Sequence, residues 1–180
     1  SGIASALTRL MRTRPPWTLR KTPRSTIRDV GDTLGVKPSP SQMDALELAL
    51  TSNVVVISGG AGTGKTTLMN MLLLAILDSM PDHALDIRLV APTGLAADRL
   101  TQVTKREAMT IHRSLKTGWD KDRHHLLILD EATMAGSVLC QSLLNSLPPR
   151  CAVVFVGDEG QLCPVDPGAV FHSLLRCPVI

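Results

Sequence analysis

The feature that most limits the fold of this chain is Gly59-Gly60-Ala61-Gly62-Thr63-Gly64-Lys65-Thr66. It follows the β-branched run Asn53-Val54-Val55-Val56-Ile57-Ser58 and precedes Thr67-Leu68-Met69-Asn70-Met71-Leu72, the start of an apolar helical pattern. A strand, a glycine-rich loop and a Lys-Thr pair opening a helix form a P-loop in its required setting. Glycines let successive backbone N–H groups turn inward toward a phosphate, and the helix beginning at Lys65 adds the positive end of its dipole. Lys65 is expected to meet β- and γ-phosphates as a point charge, with the Thr66 hydroxyl on Mg²⁺. The nine residues 59–67 are the candidate nucleotide cradle: Gly59, Gly60, Ala61, Gly62, Thr63, Gly64, Lys65, Thr66 and Thr67. A glycine-rich turn with an incidental lysine is the alternative, and it accounts for neither flank.

Around this loop the pattern alternates. Apolar runs at 53–58, 86–90, 126–129 and 151–156 read as buried strands, and 65–77, a stretch after Gly94, 110–115 and 137–147 read as helices. Strands separated by helices imply an α/β fold with a parallel sheet covered on both faces, its ligands at the carboxyl ends of the strands. Ser41-Gln42-Met43-Asp44 has capping-box spacing and opens a further helix, and Thr110 is placed to cap the helix over 110–115.

Charge divides the chain unevenly. Residues 1–40 hold eight Lys/Arg against two acids, a surplus of six, whereas the other 140 hold 11 basic and 14 acidic residues, a deficit of three. Residues 1–38 therefore read as a basic, Pro-rich linker or small helical subdomain, with short helices over 1–12 and 26–34. Such an arm suits a polyanion, or is simply a solvated linker. No apolar run reaches membrane-spanning length and no signal leader is present, so no membrane partner is expected. Cys140, Cys151, Cys163 and Cys177 form no C-x-x-C pair, which favours reduced thiols and a cytoplasmic setting.

Two further strand tips carry polar groups. Residues 126–129 lead into Asp130-Glu131-Ala132-Thr133. Carboxylates at the end of a buried strand are costly unless an ion compensates them, so Asp130 is expected to orient Mg²⁺ and Glu131 to polarise the attacking water. An acidic pair capping the next helix is the structural alternative. The strand over 151–156 leads into Gly157-Asp158-Glu159-Gly160-Gln161, where Gln161 is a candidate γ-phosphate contact.

Six segments in order carry a resemblance: Gln42, residues 59–66, Ala91-Pro92-Thr93-Gly94-Leu95-Ala96-Ala97, Thr110-Ile111-His112-Arg113, Asp130-Glu131-Ala132-Thr133, and Gly157-Asp158-Glu159-Gly160-Gln161-Leu162-Cys163-Pro164-Val165. Together they resemble superfamily 1 DNA helicases, most closely the RecD-like branch, over residues 39–176. The departures are small: Ala61 replaces a common proline and Cys163 lies in a variable stretch. The resemblance implies ATP and Mg²⁺ as cofactors, Gln42 on adenine, and catalytic roles for Lys65, Glu131 and Gln161. It implies that Pro92, Thr93, Gly94, Thr110, His112 and Arg113 hold single-stranded DNA. Residues 39–180 would then be the first RecA-like domain, truncated before a second RecA-like domain of the same polypeptide that supplies an arginine finger, worth about 10³–10⁵ in rate. Nuclease or recombination subunits are compatible partners. Thr93, Thr110 and Arg113 suit phosphates, which favours sequence-independent contact. His112 reads equally as a packed or capping histidine. With only four aromatic rings, Trp17, Trp119, Phe155 and Phe171, base stacking is poorly served, and Trp119 is its best candidate. Two other readings are a helicase-derived DNA-binding platform within a relaxase or recombination protein, and a different P-loop ATPase such as a loader or nucleotide kinase.

Overall fold

The computed structural model describes residues 2–60, 62–80 and 84–158; Ala61, Gln161, Cys163, Phe171 and Cys177 lie outside them. The helices are α1 Gly2–Met11, α2 Pro23–Leu34, α3 Pro40–Thr51, α4 Lys65–Ser79, α5 Gly94–Thr104, α6 Ile111–Thr117 and α7 Ser137–Ser146. The strands are β1 Val54–Ser58, β2 Leu85–Ala91, β3 Ala108–Thr110, β4 His124–Leu129 and β5 Cys151–Gly157, in the order β1-β5-β4-β2-β3. All four pairings are parallel. The α/β class expected from the alternating pattern is the one observed, with helices on both faces.

Each strand splits its side chains between two cores, because successive residues point to opposite faces of a sheet. Leu126, Ile128, Ala152, Val154 and Val156 join the core beneath α2, α3, α4 and α5. Their neighbours Leu127, Leu129, Val153 and Phe155 join the core beneath α1, α6 and α7. Burial on both sides explains the uninterrupted apolar runs, and it buries two thiols as well. Desolvation pushes the Cys140 thiol up to about 11 and that of Cys151 up to about 12. Both are therefore protonated and inert at neutral pH.

Two local expectations are corrected. A fifth strand, β3, pairs Ala108, Met109 and Thr110 with Leu89, Val90 and Ala91; three residues are too few to display a period. The capping box before α3 lies two residues earlier than expected. Ser39 is the N-cap, its hydroxyl accepting from Gln42 N at 3.3 Å, while Gln42 Oε1 accepts from Ser39 N at 2.9 Å. Pro40, with φ already set for a helix and no N–H to satisfy, takes the first position.

The N-terminal helices lie against the sheet. Ala6, Leu7 and Leu10 of α1 pack with α7, and Ile27 and Val30 of α2 enter the opposite core. Trp17 is buried, and its indole N–H donates to Leu50 O at 2.9 Å. Arg9 Nη2 donates to Leu144 O and Leu147 O, covering carbonyls at the end of α7. Three exposed ion pairs, Lys21–Asp29, Arg24–Asp44 and Arg24–Glu47, use part of the basic surplus.

Asn53, buried just before β1, ties this segment to the sheet. Its amide Nδ2 donates to Leu10 O at 2.8 Å, Thr13 Oγ1 at 2.8 Å and Cys151 O at 3.0 Å. Asn53→Ala leaves buried carbonyls without their donor, at a cost of about 2 kcal/mol. The expected result is a thermal midpoint lowered by roughly 4–8 °C, read by calorimetry.

Candidate functional site

β1 ends beside β5, and β5 lies between β1 and β4, so the ends of these three strands face one region. The loop after β1 is anchored there by Gly59 N donating to Gly157 O at 3.2 Å. Its turn is held internally: the Thr63 hydroxyl donates to Gly60 O at 2.7 Å, and Thr63 N to the same oxygen at 3.3 Å. A Cβ on residue 59 would sit 2.5 Å from Thr63 Oγ1, so any larger residue there forces the loop apart. Gly64, the N-cap of α4, has φ +83°, a left-handed conformation open to glycine.

Lys65 Nζ donates to the carbonyls of Gly59 and Gly60, which keeps the ammonium over the loop. Gln42 Nε2 donates to Thr63 O at 3.4 Å, so the glutamine that begins α3 rests against the loop while its Oε1 completes the helix cap.

Opposite the loop, β4 delivers Asp130, whose backbone N–H continues the sheet by donating to Val90 O at 2.9 Å. Glu131 follows at φ +52°, a left-handed conformation that costs a side-chain-bearing residue about 1–3 kcal/mol. Such strain persists where surroundings hold it. Here Glu131 O accepts from Met134 N at 2.9 Å in a single 3₁₀ turn, Ala132–Met134. Burial pushes the Asp130 carboxyl above the usual range. The Glu131 backbone N–H opposes that shift, the Glu131 charge adds to it, and Lys65 and Arg99 draw it down.

Loop and acids share a cleft of about 390 Å³. Its walls include Gly60, Gly62, Thr63, Gly64, Lys65 and Thr66, with Asp130 and Glu131. The structure thus gathers most of the cradle with both acids. Gly59 and Thr67 flank the cleft without lining it, Gln42 reaches it only through Thr63, and Ala61 and Gln161 lie outside the described residues. Two charged wall residues were missed by the sequence reading, Asp158 at the end of β5 and Arg99 on α5. Asp158 stood in a quoted segment without a role; Arg99 carried no local signal.

The second group of candidates lies where β2 and β3 end, paired at Ala91 and Thr110. Thr93 is the N-cap of α5, accepting from Ala96 N at 3.2 Å, and Thr110 is the N-cap of α6, accepting from Arg113 N at 3.2 Å. Capping uses an acceptor site and leaves each hydroxyl proton free to donate. His112 is exposed, which removes the packed-core alternative. Arg113 pairs with Glu107 at 3.0 Å on the surface, a contact worth at most about 1 kcal/mol.

Trp119 corrects the stacking expectation. The Arg88 guanidinium lies 3.6 Å over its ring, His125 meets it edge-on at 5.0 Å, and its indole N–H donates to Ser146 Oγ at 3.4 Å. The ring is committed to an internal contact before β4, at the end of that strand away from Asp130.

Comparison with known proteins adds a family. The family described as AAA domain matches residues 37–178. The chain is 40% identical over 146 residues to the ATP-dependent RecD2 DNA helicase of Deinococcus radiodurans, covering 77% of this chain and 20% of that protein. It is 34% identical over 162 residues to the RecBCD enzyme subunit RecD of Mycobacterium tuberculosis, covering 74% and 28%. Over 129 residues it is 35% identical to the ATP-dependent DNA helicase dda of Enterobacteria phage T4, covering 63% and 29%. The chain therefore spans between a fifth and three-tenths of these relatives.

Proposed function

We propose, from the premise that this chain belongs to the AAA domain family as a RecD-like ATPase domain, that it is the first ATPase domain of a DNA helicase or translocase motor. On this reading it binds and hydrolyses ATP with Mg²⁺ and holds single-stranded DNA by its backbone. The observation that carries the proposal is a juxtaposition. The loop-and-carboxylate cleft and the capped starts of α5 and α6 lie at the same carboxyl edge of one sheet.

The residues present fit a metal–nucleotide pair. Asp130 is a desolvated carboxylate that shares the cleft with the Thr66 hydroxyl, an oxygen donor set suited to a hard cation completed by phosphate and water. Bound Mg²⁺ supplies charge neutralisation on the β- and γ-phosphates. Lys65 and the loop amides hold the phosphate chain in line. Glu131 accepts a proton from a water positioned beside it. The described face around Gly94 fits a backbone contact: nothing lies within 4 Å of a Cβ added there, so the chain itself has no packing need for glycine. A second RecA-like domain of the same polypeptide completes both the nucleotide site and the DNA track.

The test is ATP turnover by the longer parent protein with and without single-stranded DNA. A several-fold rise with DNA supports the motor. Equal turnover in both conditions, or none, removes it and leaves the platform or another kind of P-loop ATPase.

A further inference from the structure

The cleft holds a cation that the assignments above leave unused. Ala96, Arg99, Leu100 and Val103 stand at i, i+3, i+4 and i+7 on α5, so one face of that helix forms a cleft wall. Three of the four are apolar, and the charged one falls in the middle of the stripe. Asn70 Nδ2 donates to Val103 O at 3.3 Å, linking this wall to α4, the helix that Lys65 and Thr66 begin.

Arg99 is an exposed wall residue of the cleft that Asp130 and Glu131 also line. Its charge draws the Asp130 carboxyl down alongside that of Lys65, yet among the described residues it makes no hydrogen bond or ion pair. An exposed arginine that lines a cleft shared with the loop, Lys65 and two carboxylates, and whose side chain has no hydrogen-bond or ion-pair partner among the described residues, is available to a ligand anion. A guanidinium fork binds phosphate oxygens in two-point fashion, which an ammonium does not.

We propose that Arg99 is a second phosphate-binding cation of the cleft, contacting the terminal phosphate of a bound nucleoside triphosphate and making the site favour triphosphate over diphosphate. The inference rests on the nucleotide-site reading above. Lys65, seated over the loop carbonyls, serves the phosphate chain generally. Arg99, on the wall that α5 forms, serves the end of the chain that hydrolysis removes. Its helix begins at Thr93-Gly94, the candidate DNA-facing turn, so one rigid element would touch both ligands.

The experiment is calorimetric titration of the longer parent protein with a non-hydrolysable ATP analogue and, separately, with ADP, in the presence of Mg²⁺. Arg99→Ala is expected to weaken the analogue at least about tenfold, the scale of a lost charge-assisted hydrogen bond, with ADP affinity changed less than twofold. Arg99→Lys is expected to recover part of the loss, since it restores charge without the fork. Equal weakening of analogue and ADP, or no weakening of either, overturns the assignment. Lys65→Ala serves as the control that separates the two claims: its loss of both ligands upholds the cleft even when the Arg99 proposal fails. Absence of analogue and ADP binding by the unmodified longer parent overturns the nucleotide-site reading, and the Arg99 proposal with it.

Discussion

Glu131→Gln is expected to lower ATP turnover by about 10²–10⁴-fold while nucleotide affinity stays within about twofold of the unmodified protein. Glutamine preserves the length and planar end of the side chain but replaces an acceptor-only carboxylate with an amide that cannot take a proton. The left-handed backbone at residue 131 and the 3₁₀ turn that follows it depend on main-chain contacts, so they survive the change. On the proposed reading binding rests on the loop, Lys65 and Arg99, which this substitution leaves in place. A loss confined to the chemical step is thus the signature of a proton acceptor. Measurement of turnover beside equilibrium binding of a nucleotide analogue separates the outcomes. Unchanged turnover would remove Glu131 from catalysis, and tolerance of the same substitution by the full-length parent would favour the platform.

How much of this site could be read from the chain alone follows from how local each device is. The phosphate loop is legible because its requirements are local: glycines where φ turns positive, as at Gly62 and Gly64, and a Lys-Thr pair at a helix start. Asp130 and Glu131 are legible because they end an apolar strand, and burial of carboxylates calls for a compensating partner. The true cap of α3 was equally present in Ser39-Pro40-Ser41-Gln42, where the proline at the first helical position was the overlooked sign. Arg99 was not legible. Its place in the cleft depends on which face α5 turns toward α4, and that is set by long-range packing on the sheet. The same holds for Trp119, whose ring looked available until the fold brought Arg88, His125 and Ser146 around it. Asn53 makes the same point, since 53–58 reads as one buried strand, and only the approach of α1 makes its first residue a three-way tie.

Asp130→Asn is expected to act in opposite directions on activity and stability. Turnover falls at least about 10²-fold, because on the proposed reading a metal that would supply several kcal/mol of charge stabilisation loses its protein carboxylate. The nucleotide-free fold, by contrast, gains. Burial raises the Asp130 carboxyl above its ordinary value, and the charge of Glu131 adds to the penalty. A raised carboxylate means that the folded state holds its proton more tightly than the unfolded chain, so stability from this group is present at low pH. It is lost as pH rises from the ordinary carboxylate value through the raised one. Above the raised value the unmodified protein carries the full penalty and the asparagine variant carries none. A gain of about 0.5–2 kcal/mol is typical when a functional charge is removed from such a site, and each kcal/mol moves the thermal midpoint by roughly 2–4 °C in a chain of this size. The difference in midpoint between variant and unmodified protein should therefore widen as pH rises from the ordinary carboxylate value through the raised one and then stay constant. Adding Mg²⁺ with nucleotide should narrow it, because only the protein that binds them is stabilised by mass action. A midpoint lowered by Asp130→Asn at neutral pH would mean that the carboxylate is already compensated within the chain, and the case for a cation at this position would lose its physical ground.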